Sequence, residues 1–207
     1  HWLKGVDNGV QGDPAVEAFV MGGGDGHKTP EGRIFAGGHW HESDRWPLAG
    51  IVETNFYFHP DGSLRDRPPT GTAPPTGYIH DPKHPVPTVG GTDSWIGWDE
   101  QRQKRVYGLS DGEYDQRDPV DGSPLSLRRD VVTFQTPPLE QAVEIVGPMT
   151  VTLHASSSAV STDFTAKVVD VYPPSPDWPS GYDFLVADGI LRTTHRSGAR
   201  PTRLEPL

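Results

Sequence analysis

Residues 108–112, Gly-Leu-Ser-Asp-Gly, fit the Gly-x-Ser-x-Gly spacing of a nucleophile elbow. That chemistry needs a buried strand running into the serine and a helix leaving it, so that Oγ stands exposed at a sharp turn. Here the approach is Gln101-Arg102-Gln103-Lys104-Arg105, too polar for a central strand. The exit, Glu113-Tyr114-Asp115-Gln116-Arg117-Asp118-Pro119, has no apolar helical face. In a chain with 24 glycines the match is read as coincidence, and no residue is assigned a catalytic role.

Three other groups could do chemistry. His39 and His41 are two apart, and on a strand both imidazoles would share one face; His27 or His59 would then complete a zinc set. No third ligand sits at a diagnostic spacing, so exposed loop histidines are the preferred reading and no residue is assigned to a metal. Asp61, Asp81, Asp111, Asp115, Asp118 and Asp121 offer hard oxygen ligands without an EF-hand pattern, and are read as turn formers. Trp95-Ile96-Gly97-Trp98 follows Gly90-Gly91 in a polar region. Large apolar side chains there either plug the domain's own core or line a pocket or interface, and composition does not choose between the two.

The elements that would position these groups are strands. The 207 residues suffice for one large β domain, the preferred reading, or for two small ones. Hydrophobic residues are only 33%, but six Trp, six Tyr and seven Phe supply large buried areas. Twenty-four Gly and 22 Pro are spread as turn punctuation between apolar runs, as in all-β folds. A net charge of −10 repels a phosphate backbone, which excludes nucleic acid as a partner. No apolar run spans a bilayer, no basic-then-apolar leader opens the chain, and zero Cys fits a cytosolic protein.

Strands are expected over 15–21 (Val16, Ala18 and Val20 on one face), 52–58, 130–136, 143–155, 164–172 and 182–192. In 143–155, Val143, Ile145, Met149, Val151, Leu153 and Ala155 should face one way, with a bulge at Gly147-Pro148. The stretch 22–38 reads as a long loop or hairpin excursion. Residues 60–128 read mostly as loop draped over a partner surface. His1-Trp2-Leu3-Lys4-Gly5 reads as the last turn of a helix with Gly5 as its stop, and both ends of the chain look cut.

Several stretches together resemble one family. They are Tyr78-x-x-Asp81-Pro82-x-x-Pro85-Val86-Pro87-Thr88-x-Gly90-Gly91, Asp115-Gln116-Arg117, and Arg129-Asp130-Val131-Val132-x-Phe134. The run Val146-Gly147-Pro148-Met149-Thr150-Val151-x-Leu153-x-Ala155-Ser156-Ser157-Ser158, then Thr162 to Val171 and Asp188-Gly189-Ile190-Leu191-Arg192, is the most specific. In this order they resemble the C-terminal domain of the cocaine-esterase / X-prolyl dipeptidyl peptidase family of serine hydrolases. The resemblance implies an all-β fold, a jelly-roll β-sandwich of galactose-binding-like type over 11–207, short of its final strands. Residues 1–10 would be the end of an α/β-hydrolase domain's last helix and a linker.

By the same resemblance, the partner is an α/β-hydrolase domain upstream in the same polypeptide, carrying a Ser-His-Asp triad. Its substrates are small esters, amides or X-Pro peptides. The present segment would be non-catalytic and cofactor-free, forming one wall of the substrate cleft. Trp95 and Ile96 would touch substrate, with Trp98 behind them. The competing expectation is a stand-alone carbohydrate-binding jelly roll, with Trp40, Trp46 and Trp95 stacking on sugars.

Overall fold

A computed structural model describes residues 3–90 and 114–196. No α-helix occurs among them; the secondary structure is six strands and three short 3-10 turns, at Val10–Gly12, Leu125–Leu127 and Thr193–His195. The chain is all-β in class. The strands pair as three antiparallel ribbons within two compact units, one of residues 1–74 with 134–149, the other of 75–133 with 150–207.

In the first unit, β1 (Val16–Met21) pairs with β2 (Gly38–Ser43). Alternation decides the faces: Val16, Ala18 and Val20 are half-buried while Glu17, Phe19 and Met21 are exposed, as the sequence leads one to expect. The excursion 22–38 is a hairpin. Its stem continues the ribbon through Gly24 N–H to Ala36 O (2.8 Å), Phe35 N–H to His27 O (2.9 Å) and Thr29 N–H to Arg33 O (2.7 Å). Gly38 allows the ribbon to close on itself. It sits at φ +140, and a Cβ there would meet the Phe19 ring at 2.3 Å and the Val20 carbonyl oxygen at 2.9 Å.

The expected strand 52–58 shortens to β3 (Tyr57–Phe58), which turns at His59–Gly62 into β4 (Leu64–Arg65). The Asp61 carboxylate holds that turn, accepting from Ser63 N–H at 3.0 Å and Arg65 Nη2 at 2.6 Å. Over 130–136 there is no strand, only a parallel bridge between Ser63 and Gln135, with Phe134 stacked on Phe58 at 4.4 Å. Over 143–155 no ladder forms either. Val143, Ile145, Met149, Val151 and Leu153 are 44–58% exposed rather than turned to a common core. Gly147 lies at φ +133 and is followed by Pro148, which has no N–H to give a ladder, so the alternation is cut in the middle.

The second unit is built on β5 (Asp163–Tyr172) and β6 (Tyr182–Arg192), paired over their length with a bulge at Val168/Val169. The Pro-rich connection between them is pinned by Trp178, whose ring meets Tyr182 edge-on at 4.8 Å. The open end is closed by Arg192 forked onto Asp163 at 2.8 and 2.9 Å. The first half of β6 has neighbours on both edges, because Asp115 bridges to Phe184. Its side chains are accordingly buried: Tyr182, Phe184 and Leu185, with Val89 and Leu125, are the core of this unit. Among the described residues the second half has β5 alone, and Ile190 and Leu191 are exposed.

Candidate functional site

The residues beside the first half of β6 form a polar cluster that fixes the two flanks of segment 91–113. Gln116 is 4% exposed, and its amide is used at both ends. Nε2 donates to Val89 O at 2.9 Å, and Oε1 accepts from Lys167 Nζ of β5 at 2.7 Å. The backbone around it is laddered onto β6, with Gln116 N–H to Asp183 O and Leu185 N–H to Tyr114 O, both at 2.9 Å. A buried primary amide needs this many partners, since each unmet polar atom costs more than a made hydrogen bond returns. Val89 precedes the Gly90-Gly91 pair and Tyr114 follows residue 113, so one side chain ties the approach and the exit of the segment to the same strand.

Charged groups brace the cluster. Arg117 donates from Nε to Asp115 Oδ2 at 2.8 Å and from Nη2 to Ser180 O at 2.9 Å. Asp115 Oδ1 accepts from Asp183 N–H at 2.9 Å. Burial pushes the Asp183 carboxyl up from its ordinary value, the Asp115 charge adds to that, and Arg117 opposes it. Burial lowers the Lys167 ammonium, against the pull of Asp188. A second fork, Arg128 onto Asp130 with both contacts at 2.8 Å, reaches His84 O at 2.8 Å. It ties the Asp81–Pro87 stretch to 128–130, and the Arg128 hydrogen bonds hold the Asp130 carboxyl below its ordinary value. These groups orient backbone; none is a nucleophile placed beside a base.

Trp95, Ile96 and Trp98 lie outside the described residues, as does the Gly108–Gly112 motif. Four of the aspartates read as turn formers behave so: Asp61, Asp81, Asp118 and Asp121 each accept from backbone N–H groups two residues on. Asp115 instead accepts from Asp183 N–H across the ladder and pairs with Arg117, and Asp111 lies outside the described residues. The histidines correct the expectation of loop residues: His39 and His41 are on β2, beside Val20 and Ala18 of β1, with His39 exposed as expected and His41 half-buried. Their third neighbour is Glu144, with the three ligand atoms within 4.8 Å of one another. Neither candidate completing histidine joins them: His27 is bound to Asp25 and stacks on Phe35, and His59 Nε2 contacts Arg67 O at 2.8 Å. No spacing rule reaches from residue 41 to 144, so Glu144 had no signal in the sequence.

Comparison with known proteins agrees with the β architecture. The chain is 32% identical to the cocaine esterase of a Rhodococcus species over 212 residues, covering 98% of this chain and 30% of that protein. It is 25% identical to proteins of Mycobacterium bovis and Mycobacterium tuberculosis that bear the name "Putative serine esterase", covering 95% of this chain and 25% of each. The chain thus spans under a third of the length of these relatives. The family model for the X-Pro dipeptidyl-peptidase C-terminal non-catalytic domain matches residues 8–206, nearly all of the β-rich chain, and the chain belongs to that family.

Proposed function

We propose that this chain is the non-catalytic C-terminal domain of a serine hydrolase acting on ester or amide bonds, X-Pro peptides among them. In this reading residues 11–207 pack on an upstream α/β-hydrolase domain and close one wall of its substrate cleft, with 1–10 as the connection. The observation that carries it is the share of lengths: nearly the whole chain matches a named esterase, over 30% of that esterase's length. The remaining length has room for the machinery this chain does not supply, a serine activated by histidine with oxyanion donors.

The wall is assigned to segment 91–113. Trp95 and Ile96 meet the substrate and Trp98 supports them. This is supported by the anchoring of both flanks on β6 through Gln116, which is what a contact surface needs if it is to be held within a fraction of an ångström. In the complete enzyme, Trp95→Ala should raise KM for an aromatic ester about tenfold, the loss of one buried aromatic contact, with little change in kcat. An unchanged KM would remove Trp95 from the cleft.

The carbohydrate-binding alternative draws on Trp40 and Trp46, 62% and 51% exposed. Trp40 already packs edge-on against Phe19 at 5.3 Å, which gives it a role within the ribbon. A glycan array with no saturable ligand would eliminate the alternative.

A further inference from the structure

From their geometry we infer that His39, His41 and Glu144 form a binding site for one divalent ion of the zinc class. The ion would clip the β1–β2 hairpin to the 143–145 segment. Two imidazoles and one carboxylate suit Zn²⁺, Ni²⁺ or Cu²⁺, and not Ca²⁺ or Mg²⁺, which take oxygen ligands.

Three features carry the inference. The strand period puts both imidazoles on one face of β2, His39 exposed and His41 half-buried. Glu144, distant in sequence, brings its carboxylate to the same point, so that all three ligand atoms lie within 4.8 Å of one another. The third feature is the His39 Nε2 to Glu144 Oε2 distance of 3.4 Å. That is long for a charge-assisted hydrogen bond, which closes to about 2.7–2.9 Å. This one edge matches that of a tetrahedron with metal–ligand bonds of about 2.0–2.1 Å, about 3.3–3.4 Å, while the remaining ligand atoms, within 4.8 Å, would close onto the ion as it binds. Three protein ligands leave a fourth position for water. Closing a long stretch of chain through a metal stabilises by restricting the unfolded ensemble, so the ion's effect should appear as folding stability.

The test uses the untagged 207-residue chain, stripped with chelator and titrated with Zn²⁺ against a chromophoric indicator. Expected are one equivalent bound with micromolar or tighter Kd, and a rise in Tm with zinc that neither Ca²⁺ nor Mg²⁺ produces. Glu144→Gln and His39→Asn should each weaken binding tenfold or more. Both side chains are half-exposed, 49% and 57%, so the substitutions leave the fold intact, as circular dichroism would verify. His27→Asn and His59→Asn should bind as the parent chain does. Co²⁺ should give visible ligand-field bands that vanish in Glu144→Gln. Absence of a zinc equivalent, or an equivalent that survives His39→Asn together with Glu144→Gln, would overturn the inference.

Discussion

Two carboxylates of the second unit pull stability in opposite directions with pH. Asp130, hydrogen-bonded to Arg128, has its folded value lowered below 3.8. Its contribution is therefore present above 3.8 and lost as pH falls through the lower folded value. Asp130→Asn should cost about 2 kcal/mol at pH 7, the scale of a charged fork with partial burial, and less at pH 3, as read by urea unfolding. Asp183 has its folded value raised by burial beside Asp115. Its contribution is complete below 3.8 and lost as pH rises through the folded value, so at pH 7 the ionised group opposes folding. Asp183→Asn should gain stability at pH 7 and gain little at pH 3.5. Gln116 is the most demanding single residue: Gln116→Leu strands Val89 O and the lowered Lys167 ammonium, and should cost about 2–3 kcal/mol.

At the scale of elements, the ribbons show what alternation of residue types can and cannot convey. β1, β5 and β6 were legible because an apolar face was matched to a neighbour close in the chain, across the 22–38 hairpin or the Pro-rich 173–181 connection. The pattern over 143–155 was as strong, yet it forms no ladder among the described residues. Alternation names a face but not a partner, and Gly147-Pro148 interrupts the backbone donors where a partner would bind. The same limit hid the site: the spacing of His39 and His41 marks a pair on one strand face, while Glu144 sits in a stretch whose alternation speaks only of apolar faces. Gly38 could not be singled out among 24 glycines, although only its backbone lets Phe19 lie across β2. Gly38→Val should lower stability by about 1–3 kcal/mol through strain at φ +140 and displacement of the Phe19 ring, measurable as a drop in Tm.

For the whole molecule, family membership covers residues 8–206, while the relatives are more than three times as long as the stretch that matches. The ordered motifs made the family legible. Within this chain their chemistry is structural: Asp115-Gln116-Arg117 anchors β6, and Arg128 with Asp130 ties down the Asp81–Pro87 stretch. Whether this domain has a hydrolytic centre of its own is tested most directly by p-nitrophenyl ester hydrolysis with the purified chain and its Ser110→Ala variant. No turnover above the buffer rate is expected in either protein. Enzyme-like turnover in the parent chain that disappears in Ser110→Ala would make Gly108–Gly112 a working elbow and this domain a hydrolase in its own right.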